Sequence, residues 1–345
     1  MNRTRWVIVV AVLQLGVLAY MAAEREWVLR AGRTVFLRTA PIDPRDPMRG
    51  DYVRFGFEIS EVRRAECRGE VLNWMKAVPQ SRRSFIDRRV YAEVRLDKSG
   101  LAELVALSDR RPESGIVIRG RVQVVDSEFV RVRFGVEALF MQQGKAKEFE
   151  NEQSARPGLP LRIELAVSDG GLAVIKGRRW EALGLTFKRE TDPEPAASAE
   201  KRRGREILRG LTVELKNWGD RPLAVVVGAA GRSRLRLVAP RRGWDETRYG
   251  WIGEDRASVA VQAGEIRVLQ PGETVREYVD FDAPEWFVVD RRAPTSGPVS
   301  LRNVETSWLQ SFNVEYAPPT EAEVAGMPGA DLLAYGRVRS AAFTP

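Results

Sequence analysis

The chain contains no histidine and a single cysteine, Cys67. Without histidine there is no Ser-His-Asp or Cys-His catalysis, no His-ligated zinc and no imidazole proton shuttle. One cysteine excludes an intrachain disulfide and CxxC chemistry. We expect Cys67 to be buried and inert, with pairing between chains as the other option in an oxidising compartment. The sequence also lacks a Gly-rich nucleotide loop, a nucleophile elbow, EF-hand spacing and any nucleic-acid-binding motif. No nucleic-acid partner and no cofactor are therefore expected.

Acidic residues are in deficit. Against 55 Lys and Arg stand 47 Asp and Glu, a net charge of +8. The excess is mostly Arg and is dispersed, which suits a solvated surface; the other use is a patch facing phospholipid head groups or an anionic glycan. Of the 345 residues, 44 % are hydrophobic and 30 % charged. That balance supplies enough apolar side chains for two domains, or three small ones.

Residues 6–23, WVIVVAVLQLGVLAYMAA, carry no charge, and Gln14 is their one strongly polar side chain. Such a run just suffices to cross a bilayer, and we read it as a transmembrane anchor in contact with membrane lipid. Trp6 and Trp27 flank it at interfacial positions. Met21-Ala22-Ala23 matches a small-x-small cleavage site poorly, so an uncleaved anchor is expected. Arg3 and Arg5 favour residues 1–5 in the cytoplasm; Arg25, Arg30, Arg33 and Arg38 oppose this by simple counting. Large C-terminal domains translocate largely regardless of charge, so we expect the body outside the cytoplasm.

The rest reads as mainly β. Val35 and Leu37 alternate with Thr34, Phe36 and Arg38 in a strand. Pro41, Pro44 and Pro47 impose an extended loop, followed by a strand over residues 52–59. Helix is expected at 70–78 and near 82–88, with Pro79 between. Residues 90–96 and 101–107 form a hairpin about Asp97-Lys98-Ser99-Gly100. Two motifs then recur in order: VRFGFE at 53–58 against VRFGVE at 132–137, and the hairpin at 93–102 against 164–173. We read 30–188 as a duplicated β-rich domain, its two copies of roughly 75 residues lying within 33–188.

Residues 189–204 are Pro, Ala, Ser and charge, the composition of a linker. Seven or eight short strands over 205–316 suggest an immunoglobulin-like β-sandwich, although no Cys pair supports it. Residues 317–345 read as a mixed tail, with a strand or helix at 332–338.

The segment PIDPRDPMRGDYVRFGF, with Pro41, Asp43, Pro44, Arg45, Asp46 and then Gly50-Asp51-Tyr52, resembles the GDYXXLXY protein family. So do residues 132–150 and 161–176, and the likeness covers about residues 6–188. The motif's Leu is Phe55 here and its last Tyr is Phe57, which has no hydroxyl. The resemblance implies a bacterial protein with an N-terminal membrane helix and an extracytoplasmic body. It implies no activity and no catalytic residues.

Asp43, Asp46 and Asp51 fall within nine residues. Carboxylates so close can bind Ca²⁺ or perturb one another for acid–base work. The plainer expectation is that Asp43 and Asp46 cap turns and pair with Arg45 and Arg49, while Asp51 starts the strand entered by Tyr52. Trp244, Tyr249 and Trp251 crowd one loop; they either pack or present aromatic planes to a sugar. Three functions remain: a non-enzymatic envelope scaffold or binding module that docks a membrane or periplasmic protein, an Asp-loop metal-dependent hydrolase, and a glycan-binding module. The first is favoured, placed as a single-pass protein of the bacterial inner membrane with its body in the periplasm.

Overall fold

The computed structural model describes residues 3–40, 52–79, 82–140, 145–193, 206–228, 233–238, 249–251, 260–290, 293–303 and 311–344. The chain divides into two compact units: Met1–Glu150 with Leu161–Arg179, and Asn151–Pro160 with Trp180–Pro345. It is mainly β, with an N-terminal apolar helix and antiparallel sheets.

The first unit opens with helix α1 (Arg3–Ala31). Its strands are β1 (Arg33–Ala40), β2 (Tyr52–Arg54), β3 (Gly56–Phe57), β4 (Glu61–Arg63), β5 (Ser84–Phe85) and β6 (Arg89–Leu96). They continue with β7 (Ala102–Ser108), β8 (Ile116–Val125), β9 (Phe129–Arg133), β10 (Ala138–Phe140), β11 (Leu161–Val167) and β12 (Ala173–Trp180). Helix α2 (Glu70–Ala77) lies between β4 and β5, and α3 (Lys145–Ser154) begins after β10.

Two larger sheets carry this unit, and β2 pairs with β10 in a third. One has the order β4-β9-β8-β6-β7 with β5 added to β8; the other has the order β12-β11-β1-β3. The period-2 pattern places Val35 and Leu37 of β1 against Leu165 and Ile163 of β11, all four fully buried. Likewise Val90, Ala92 and Val94 of β6 point inward. Hairpin β6–β7 pairs with β8, which precedes the second VRFG motif, and hairpin β11–β12 pairs with β1, which precedes the first. The two hairpin turns are built alike. Gly100 N donates to Asp97 O at 3.0 Å and Gly171 N to Ser168 O at 2.9 Å. Each turn's glycine carbonyl also accepts from the other sheet: Phe36 N to Gly100 O at 3.0 Å, and Arg119 N to Gly171 O at 2.8 Å.

Two local expectations fail here. Residues 82–88 are not helical; Ser84 and Phe85 pair with Val125 and Val124 of β8. The segment has no apolar stripe at helical spacing, and Phe85 is 80 % exposed, so a helix would have nothing to bury. Helix α3, KAKEFENEQS, was not expected; only its propensity signals it, because Phe149 is the one large apolar side chain in it.

The second unit contains β13 (Leu183–Pro193), β14 (Glu206–Asn217), β15 (Leu223–Val226), β16 (Leu235–Val238), β17 (Tyr249–Trp251) and β18 (Ile266–Leu269). Then come β19 (Thr274–Asp280), β20 (Val288–Asp290), β21 (Pro298–Val299), β22 (Asn313–Tyr316), α4 (Glu321–Val324) and β23 (Val338–Arg339). Their sheets are β13-β14-β19, β15-β18, β16-β22-β23 and β17-β20-β21. Residues 189–193, linker by composition, are the end of β13 and pair with β14. Residues 317–345, tail by composition, give Val338 and Phe343 to the core that also holds Leu185, Val213, Phe281, Trp286 and Tyr316.

Candidate functional site

Of the sequence-derived candidates, Asp43, Arg45, Asp46, Arg49 and Asp51 lie outside the described residues, as does Trp244. Tyr52 begins β2, opposite Phe140 of β10. Tyr249 and Trp251 are the ends of β17, opposite Asp290 and Val288. Among the described residues no three His, Cys, Asp or Glu side chains gather to hold a metal ion. Cys67 is buried, its Sγ 3.3 Å from Arg63 O. Burial, with Glu66 nearby, pushes its thiol up to about 12, so it is protonated at neutral pH and unreactive.

The tryptophans divide. Trp286 is 5 % exposed in the second unit's core. Trp218 carries the Lys216 ammonium 3.8 Å from its ring centroid, and Trp180 carries the Arg156 guanidinium at 5.4 Å. Trp6 and Trp27 are exposed, 57 % and 72 %, on α1.

Over Trp6–Ala31, α1 is long and apolar enough to span a membrane, and its apolar stretch, residues 6–23, is exposed throughout. Its last turn is joined to the body. Val28 is 3 % exposed, Gly32 N donates to Val28 O at 2.8 Å, and a Cβ at Gly32 would stand 3.1 Å from the Val167 amide at the end of β11.

A concave site lies in the first unit, between the C-terminal end of α2, β5 and the end of β8. It is open to solvent, holds about 420 Å³ and is walled by Trp74, Val78, Pro79, Ile86 and Val125, with Arg82, Arg83 and Arg88 around them. Pro79 ends α2 and turns the chain, with Arg82 N donating to Pro79 O at 3.1 Å. Strand β5 then fixes the following residues on β8. Arg83 is half-buried, its Nε 3.8 Å from Asp126 and its guanidinium 5.7 Å from the Phe129 ring centroid. Asp87 turns to Arg121, Nη2 to Oδ2 at 2.8 Å, and this hydrogen bond holds its carboxyl below the usual range. Sequence reasoning misses this site because residues 82–88, RRSFIDR, read as a helix. The available signal was the crowding of four arginines about Phe85 and Ile86.

In the second unit Glu315, fully buried, is gripped by Arg236 and Arg339, with Arg337 3.9 Å away. All three arginines and Glu315 belong to the small sheet β16-β22-β23 or its border, so the cluster ties strands together. Burial raises the Glu315 carboxyl, but Arg339 and Arg236 outweigh that and hold it below its ordinary value.

No curated protein and no solved structure matches the chain. Residues 14–177 match the family model described as GDYXXLXY protein.

Proposed function

We propose that the protein is a membrane-anchored binding module or scaffold of the bacterial cell envelope, without catalytic activity. In this reading α1 crosses the inner membrane once and the two units lie in the periplasm, where they dock a membrane or periplasmic protein. The observation that carries it is α1: the apolar run over residues 6–23 is uncovered, while the helix's last turn packs through Val28 on the body. Exposing some 18 apolar residues to water is strongly unfavourable, whereas lipid accepts them. The run from Trp6 to Trp27 is about 31 Å at 1.5 Å per residue, which matches the hydrocarbon core and puts an indole at each boundary. The second unit is read as immunoglobulin-like, a fold frequent in recognition modules; its many short antiparallel strands, most of them packed on a large shared core, support this.

Membrane fractionation tests the anchor. The full chain should resist extraction by alkaline carbonate, and Val12→Arg with Leu13→Arg should release it. Release of the unaltered chain contradicts the proposal. Affinity purification from crosslinked membranes tests docking: a specific envelope protein should co-purify. Metal-dependent hydrolysis lost in Asp51→Ala, with no partner recovered, contradicts the scaffold reading in favour of the hydrolase.

A further inference from the structure

We infer that the cavity between α2, β5 and β8 binds an amphiphilic anion: a carboxylate or phosphate monoester carried on a flat or branched apolar body. The inference stands on the cavity and holds whether or not α1 spans a bilayer.

Its volume, about 420 Å³, falls within the range of about 300–1,000 Å³ usual for small-molecule sites. The lining has two chemistries. Trp74, Ala77, Val78, Pro79, Ile86 and Val125 give an apolar floor, with one indole among them. The remaining groups are three guanidinium side chains and the Ser84 hydroxyl, with no carboxylate among the described lining residues.

The arginines differ in what already engages them. Arg83 is held beside Asp126 and Phe129, so much of its charge is already matched there. Arg82 and Arg88 are exposed, and among the described residues neither side chain makes a hydrogen bond or ion pair. The nearest acid in sequence, Asp87, is committed to Arg121. Two available guanidinium forks thus stand at an apolar concavity whose local negative charge is spent elsewhere.

A purely solvated arginine surface does not account for the apolar concavity beside it. A purely apolar ligand would waste the forks, and an inorganic anion would leave the floor wet. An anionic head joined to an apolar body satisfies both; a guanidinium–carboxylate or guanidinium–phosphate contact is a strong charge-assisted hydrogen bond. Such chemistry comes either from a soluble aromatic or acyl acid or from an anionic lipid.

The full chain in phosphatidylcholine nanodiscs, titrated calorimetrically, tests this. The probes are 2-naphthoate and 2-naphthyl phosphate, with 2-naphthylmethanol and inorganic phosphate as controls. Both aromatic anions should bind, and both controls at least tenfold more weakly. Arg82→Ala and Arg88→Ala should each weaken 2-naphthoate about tenfold, the loss expected for one charge-assisted hydrogen bond. Trp74→Leu should weaken both anions, with an unchanged melting curve showing that the fold persists. A second arm uses phosphatidylglycerol nanodiscs. Competition there assigns an anionic lipid as the source; its absence assigns a soluble acid, and either supports the site. Equal binding of the alcohol, indifference to both arginine variants in folded protein, or no binding of either anion overturns it.

Discussion

The Phe55 amide donates to the Glu137 carbonyl at 2.7 Å, so the two VRFG motifs meet directly. The contact continues into paired backbone, Arg54 opposite Ala138 and Val53 opposite Leu139. Phe55 and Phe134, at matching positions, are 5 % and 6 % exposed. Phe55 also meets Phe149 of α3 edge-on, with centroids 6.2 Å apart.

This makes the motif's apolar positions structural, and they can be tested by size and polarity. Phe55→Ala should cost about 3–5 kcal/mol in urea unfolding, as buried Phe truncations do. Phe57 is 2 % exposed. Phe57→Tyr, which restores the residue that the family motif has there, adds a hydroxyl at a buried position; with no partner for it the cost is about 1–3 kcal/mol. A neutral or stabilising result would mean that a hydrogen-bond partner stands ready for that hydroxyl.

The hairpin turns give a matched pair. Gly100 has φ +78° and Gly171 φ +81°, where any side chain is strained by about 1–2 kcal/mol. Their surroundings differ: a Cβ on Gly171 stands 3.0 Å from the Arg119 amide, whereas one on Gly100 stands 3.1 Å from the Phe36 ring. A ring can shift more readily than paired backbone. Gly171→Ala should therefore lower the melting temperature more than Gly100→Ala. In the same turns Asp97 Oδ1 accepts from Ser99 N and Leu101 N, while Ser168 Oγ accepts from Leu172 N alone. Asp97→Ala should then cost more than Ser168→Ala.

Two carboxyls of the second unit should give opposite pH signatures. Burial pushes Glu277 up to about 7, with Ser233 partly offsetting, and its Oε2 has no hydrogen-bond partner. The folded chain therefore keeps a proton that the unfolded chain releases above 4.5, so stability falls as pH rises from 4.5 to 7. The full effect above pH 7 is ~3 kcal/mol. Glu277→Gln should flatten that slope and gain stability at pH 8 relative to the parent.

Glu315 is held below its ordinary value, so its contribution is present above about 4.5 and disappears as pH falls through the lower folded value. Glu315→Gln should cost about 3–5 kcal/mol at pH 7, because Arg236 and Arg339 lose a buried partner. The difference from the parent should narrow at low pH. A variant as stable as the parent at pH 7 would remove this cluster from the account.

Much of the fold was legible because its signals are local and periodic. VYAEVRL alternates, and it is β6; the Asp97–Gly100 turn chemistry marks its hairpin. The apolar run announced α1, although the helix continues to Ala31 because Glu24, Arg25 and Glu26 are tolerated at exposed helical positions. Non-local pairing was not legible. Nothing within 206–217 says that β14 takes 189–193 as a partner, and a Pro-Glu-Pro composition masked the end of β13. The cavity was hidden for the same reason: its arginines converge only because β5 finds β8 some 40 residues away.

The proposed function depends most on α1 crossing the membrane with the body outside the cytoplasm. A reporter enzyme that folds only outside the cytoplasm, fused after Pro345 and measured in intact cells, tests this directly. The expected result is an active fusion that stays with the membrane fraction, and an inactive one when a second reporter that works only in the cytoplasm is fused in its place. A stable, membrane-bound fusion that is inactive outside and active inside would reverse the orientation and contradict the proposed function.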